Sequence, residues 1–240
     1  MRVELCHYTK IDTMYKILES KKMRFTSLKN VDDQEEKWTK DLYDHGKHIF
    51  VCCFTSESKE NIALWNMHKG NGEGIRLKFK RDIFRKFTYK GENKNGKYIV
   101  HGADRIIKVE YTDDESKIYP EVFVGENEKE GIYLPVLGVY KRSEWNFENE
   151  YRYKIFMYNY RKNNSLKVNG DKWLCEVNTI PFEYYDVAIN KAALNDMEIT
   201  LGYNINEDSK KKVYEYIKQY NKKNKTNISV KESYLTGKLN

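Results

Sequence analysis

The run "IFVCCF" (Ile49–Phe54) is the longest uninterrupted apolar stretch in the chain. It constrains the fold more than any other feature. Six residues is strand length, and the lack of polar alternation means that both faces must be covered. The run therefore predicts a central strand with structure packed above and below it. It is far shorter than the ~20 residues needed to span a bilayer, so no membrane association is expected.

Around this strand the pattern is of short elements. "VELCHYT" (Val3–Thr9) and "MRFTSL" (Met23–Leu28) read as strands. Between them Asp12 is placed to cap a helix that buries Met14, Ile17 and Leu18. "VDDQEEKWTKDLYDHG" (31–46) reads as a loop and helix, and "ENIALWNMHKG" (60–70) as a helix ending near Gly70. "GIRLKF" (74–79) and "RIIKVEY" (105–111) alternate as strands do, and the polar "YKGENKNGKY" (89–98) between them reads as a loop. A helical portion is expected in "GIYLPVLGVYKRSEW" (131–145). Short elements follow at "WLCEV" (173–177), "YYDVAI" (184–189) and "EITLGY" (198–203). A lysine-rich helix and a last strand in "NISVKESYL" (227–235) close the chain. Many short strands with scattered helices imply one α+β domain over residues 1–240, not the regular alternation of a doubly wound sheet.

Charge is distributed unevenly. The 240 residues carry a formal net charge of +7. Residues 206–240 hold nine lysines and four acids, 9 − 4 = +5, which leaves +2 for the rest. This tail reads as the solvated face of an amphipathic helix with Tyr216, Ile217 and Tyr220 on its buried side. The other reading is attraction to a polyanion such as nucleic acid. Cys6, Cys52, Cys53 and Cys175 lie in apolar surroundings and do not form a disulfide framework, which fits a reducing cytoplasm. The N-terminus lacks the pattern of a secretory signal. His45 and His48 near Cys52 and Cys53 lack a second ligand pair at zinc spacing, so no metal is expected.

The chemically suggestive stretch is "WNFENEYR" (Trp145–Arg152). Read as a strand, it puts Trp145, Phe147, Asn149, Tyr151 and Tyr153 on one face. Asn146, Glu148, Glu150, Arg152 and Lys154 fall on the other. The simplest meaning is a half-buried strand with its charged side in water. The alternative is two carboxylates in one cleft, roughly 6.5 Å apart from a rise of ~3.3 Å per residue. Carboxylate pairs stabilise the oxocarbenium-like cation formed when a glycosidic bond breaks. Two further places carry candidate ligand-binding groups: "CHYTK", with His7, Tyr8 and Thr9 at a strand end, and "CFTSESKENIALW", with Thr55, Ser56 and Ser58 before a helix bearing Trp65.

Taken in order, these segments resemble a bacterial family known as domain of unknown function 2971, similar in turn to ADP-ribosyltransferase-like folds. The resemblance rests on His7-Tyr8-Thr9, then Asp33 and Glu36, Cys53-Phe54, Trp65 and Gly74-Ile75. Lys141, Trp145, Glu148, Glu150 and Arg152 complete it. Asp32, Gln34, Leu64 and His68 depart from the family pattern, which has Asn, Pro, Met and Tyr there. The resemblance implies a split, mostly antiparallel sheet with flanking helices. It also implies NAD as substrate and a nucleic-acid or protein acceptor, in a toxin or anti-phage effector. By the same resemblance His7, Tyr8, Thr9 and Arg152 would bind NAD, and Ser56 and Trp65 would lie near the nicotinamide. Glu150 would be the catalytic acid, with Glu148 as its partner and His7 beside them. A non-catalytic nucleotide- or nucleic-acid-binding module on the same fold is the alternative.

Overall fold

The computed structural model describes residues 4–42, 44–56, 59–68, 74–80, 82–93, 96–124, 131–160, 180 and 182–239. The strands are β1 (Leu5–Lys10), β2 (Lys22–Ser27), β3 (Ile49–Thr55), β4 (Gly74–Phe79), β5 (Phe87–Asn93), β6 (Gly96–Lys108) and β7 (Glu110–Tyr111). They continue as β8 (Phe123–Val124), β9 (Gly131–Ile132), β10 (Tyr140–Lys141), β11 (Glu150–Tyr160), β12 (Tyr184–Ala188), β13 (Glu198–Leu201) and β14 (Ser229–Glu232). Helices α1 (Ile11–Ser20), α2 (Ile62–His68), α3 (Glu115–Ile118), α4 (Lys191–Asn195) and α5 (Glu207–Asn224) flank them. The architecture is mixed α+β, built on one open, mostly antiparallel sheet. Among the described residues no helix is long and apolar enough to cross a membrane.

β3 lies inside the sheet, as its apolar run requires. Phe50, Cys52 and Phe54 enter the main core, whereas Ile49 and Val51 enter a second cluster with Leu28, Val122 and Leu137. On one side β3 pairs with β11 along its whole length, from Thr55 opposite Glu150 to Ile49 opposite Phe156. Its other side is shared. β1 pairs with it only at Cys6–Thr55, and β2 only at Thr26–Val51 and Ser27–Phe50. The sheet therefore forks at β3. One branch runs through β1, β4, β13 and β14, and the other through β2 and β12. Among the described residues no strand pairs with Cys52, Cys53 or Phe54 on that edge.

Several local expectations need correction. Asp12 does not cap α1; the N-cap is Lys10, without a side-chain bond, and Asp12 sits in the first turn. Met14, Ile17 and Leu18 are buried as expected. The polar stretch 89–98 is no loop. It belongs to the β5–β6 hairpin, whose register closes at Asn93–Gly96, because turn-forming residues confined to a hairpin tip look the same as a longer loop. "WNFENEYR" is not one strand. Ser143–Glu148 is a 3₁₀ turn, Asn149 is left-handed at φ 41°, and β11 starts at Glu150. Nor does its charged side face water: Glu150, Arg152 and Lys154 are all buried. The expected element at 173–177 lies outside the described residues. In α5, Val213, Ile217 and Tyr220 are buried, with Tyr216 packed beside them.

Candidate functional site

A cleft of about 240 Å³ opens at the fork of the sheet. Cys6, His7 and Tyr8 of β1, Arg24 and Thr26 of β2, and Val51–Thr55 of β3 form its floor. Glu36, Lys141, Glu148, Glu150 and Arg152 form one wall, and Asp32 with Leu64 and His68 of α2 complete the lining.

His7 repairs part of the fork. Its Nδ1–H donates to the Cys53 carbonyl at 2.9 Å, a group that faces the unpaired edge of β3. That bond leaves Nε2 as an acceptor. Burial pushes the imidazole pKa down to about 4, so the ring is neutral at physiological pH. Tyr8 sits beside it. Its hydroxyl accepts from the Asn61 amide at 2.9 Å, and its ring meets Trp65 edge-on.

The wall is a cluster of three carboxylates and two cations. Arg152 is its post. Nε and Nη2 donate to Glu150 at 2.6 and 2.8 Å. Nη2 also donates to Glu36 at 2.9 Å. Nη1 donates to the second Glu36 oxygen and to the Gly138 carbonyl. All five N–H groups of the guanidinium are thereby used. Gly138 reaches this position at φ +69°, where a side chain would be strained. Lys141 reaches across to Glu148 at 2.6 Å, Glu150 at 3.4 Å and Glu36 at 3.9 Å, with its ammonium over the Trp145 ring.

Local structure explains how Glu36 enters a buried cluster. Asp33 caps the short 3₁₀ turn Gln34–Lys37 by accepting from the Glu35 amide at 3.0 Å. Successive residues of the turn then point apart. Glu35 goes outward, held by Arg142 at 2.9 and 3.0 Å and by the Tyr119 hydroxyl. Glu36 goes inward to Arg152. Glu148 is positioned from the other side: the Asn61 side-chain amide donates to the Phe147 carbonyl at 2.6 Å, tying α2 to the turn that ends in Glu148.

With three acids and two bases the ionised cluster carries a net charge of −1, which a buried site disfavours. The acids separate accordingly. Burial opposes the charge of Glu150, but the Arg152 guanidinium and then Lys141 overcome it and hold its pKa down to about 2. Burial, with repulsion from Glu150, outweighs Lys141 at Glu148 and pushes its pKa up to about 7. Burial also pushes Glu36 up. Lys141 stays charged: burial works against it, and Glu150 and Glu36 hold its pKa above the ordinary lysine value. Two carboxylates two residues apart thus have different capacities. Glu150 is a fixed anion, and Glu148 exchanges a proton near neutrality.

The structure brings His7, Tyr8, Glu148, Glu150 and Arg152 into one cleft. It does not bring the other candidates there. Trp65 is fully buried, bonded through Nε1 to Glu60 at 2.9 Å and packed on Tyr8 and Leu235. Thr9 is buried in the β1–β4 ladder opposite Ile75. Ser56 is half-buried just past β3 and does not line the cleft, whereas Thr55 does. Arg152 lines the cleft but has no donor left for a ligand. The sequence assigned no role to Glu36 and Lys141, although both lie in the motif order. Among the described residues, no group of three or more His, Cys, Asp or Glu side chains is arranged to hold a metal.

Fold and site together define an α+β protein with a forked, mostly antiparallel sheet and a cleft at the fork walled by a buried cluster of acids and bases. Comparison of the chain with protein-family models, curated proteins and solved structures finds no match.

Proposed function

We propose that this cleft cleaves the nicotinamide–ribose bond of NAD and transfers ADP-ribose to an acceptor, on an ADP-ribosyltransferase-like fold. The observation that carries the reading is the meeting of His7 with Glu148 and Glu150 at the fork of the sheet. A neutral imidazole there offers Nε2 to a ribose hydroxyl. The fixed charge of Glu150 stabilises the cation that develops at the ribose as the bonding pair leaves with nicotinamide. Glu148, in its ionised form, takes the proton of the incoming acceptor as the new bond to the ribose carbon forms. In this assignment Glu148 is the group that touches the reacting atoms, and Glu150 acts beside it as a buried charge. A cleft of about 240 Å³ is below the ~300–1,000 Å³ of pockets that enclose drug-sized ligands. It suits the nicotinamide riboside end, with the rest of the dinucleotide outside.

The test is release of nicotinamide from NAD in the presence of protein, RNA and DNA acceptors. Wild type should turn over, and Glu148→Gln should lose about 10²–10⁴-fold in rate. Absence of turnover with every acceptor would overturn the transferase reading. A second reading, a non-catalytic nucleotide-binding module, is favoured by the saturation of Arg152 and the locking of Glu150 within the cluster. It expects NAD to raise the melting temperature without being consumed.

A further inference from the structure

A second cleft, of about 500 Å³, lies between β5 and β12. Among the described residues β5 ends the main sheet and pairs only with β6, and β12 ends the forked branch and pairs only with β2. Phe87 and Tyr89 of β5 and Tyr185 of β12 line this cleft, with Lys22, Arg85 and Lys191 around them. The Phe87 and Tyr185 rings lie within 12° of parallel, centroids 6.5 Å apart. Both are packed against the main core, so a flat ligand meets two rigid faces in one orientation. Tyr89 is 48% exposed. Among the described residues Lys22, Arg85 and Lys191 have no carboxylate partner, and the one acid lining the cleft, Asp186, is bonded to Arg24 at 3.1 Å.

Aromatic faces interleaved with uncompensated cations fit a planar base joined to a phosphate. We propose that this cleft binds single-stranded nucleic acid: Phe87, Tyr89 and Tyr185 stack on unpaired bases, and Lys22, Arg85 and Lys191 track the backbone. A duplex hides its base faces from such a platform. The two clefts adjoin, because Arg24 lines the first and its partner Asp186 lines the second. Under the transferase reading, a strand bound in the second cleft is a candidate acceptor. The binding claim itself does not depend on that reading.

The experiment is fluorescence anisotropy with a short labelled single strand, as RNA and as DNA, against the matching duplex and a mononucleotide, from ~50 mM salt upward. The single strand should bind more tightly than either competitor. Tyr89→Ala should weaken it by roughly 5- to 100-fold, whereas Tyr89→Phe, which keeps the ring, should not. Because Tyr89 is largely exposed, a circular dichroism melt should match wild type for both. The double variant Arg85→Ala, Lys191→Ala should lower the log–log salt slope by about 1.4, at ~0.7 per phosphate. Four results would each overturn the proposal: no binding at low salt, equal affinity for duplex or mononucleotide, no effect of Tyr89→Ala, or loss of binding only when Lys211, Lys212, Lys222 and Lys223 of α5 are neutralised. Binding without NAD turnover would retain this site while removing the transferase reading.

Discussion

Glu148 and Glu150 show how little residue type says about charge state. Both are glutamates of one motif, yet the second is gripped by a guanidinium and the first is left mainly to burial and a lysine. The difference has a sign that stability measurements read. An acid whose folded pKa is raised binds more protons folded than unfolded, so stability falls as pH rises between the two values. For Glu148 that window runs from 4.5 to about 7. Glu150 does the reverse, losing its contribution as pH falls from 4.5 to about 2. Glu148→Gln should therefore match wild type near the bottom of the first window and exceed it above the top. The gain should be on the order of 3 kcal/mol, in urea unfolding at ~pH 4.5 and ~pH 8. A stability difference between Glu148→Gln and wild type that stays the same at both pH values would contradict the assignment, since the buried His7 and His48, with lowered pKa values, add a slope of opposite sign to both proteins.

At the scale of elements, the cluster depends on the turn Gln34–Lys37. This turn is held from beneath by a backbone contact. A Cβ added at Gly46 would lie 2.4 Å from Lys37 Cα, with the Lys37 carbonyl oxygen at 2.9 Å. Neither atom belongs to a flexible side chain, so the turn itself must move. Gly46→Ala is expected to cost about 1–3 kcal/mol of stability and to draw Glu36 away from Arg152. Urea unfolding reads the first effect. Under the proposed function, the second should appear as weaker NAD binding, through a displaced cleft wall. The 3₁₀ turn Ser143–Glu148 has a matching tether in Asn61, so the two acids that are not on β11 are each delivered by a short turn anchored elsewhere.

For the whole molecule, the basic C-terminal segment is part of the core. Val213, Ile217 and Tyr220 of α5 are buried, the Tyr220 hydroxyl donates to the Leu18 carbonyl at 3.0 Å, and β14 pairs parallel with β13. Ile217→Ala should therefore cost about 2–5 kcal/mol, whereas neutralising Lys211 and Lys222 on the exposed side should change stability by less than ~0.5 kcal/mol. Chemical denaturation of the two variants separates these outcomes directly. The lysines are the solvated face that the helical spacing implied, and the aromatic and aliphatic residues between them close one end of the sheet.

Much of this was legible from the residues alone. The run Ile49–Phe54 determined a strand covered on both faces, because six apolar side chains cannot alternate with water. The buried sides of α1 and α5 followed from helical spacing, and His7, Glu148 and Glu150 stood out by residue type and order. The hairpin 89–98 was not legible, since Gly and Asn mark a turn without marking its length. Asn149 was not legible either; its left-handed conformation ends the 3₁₀ turn and moves Glu148 off the strand. Alternation correctly put Glu150, Arg152 and Lys154 on one face but gave that face to water. What covers it comes from elsewhere in the chain: Glu36, more than a hundred residues earlier, on Arg152, and the carbonyls of Pro135 and Leu137 on Lys154. Local pattern determines which side chains share a face; only the tertiary structure decides what covers it, because the partners of a buried charge are chosen by distance in space and not along the chain.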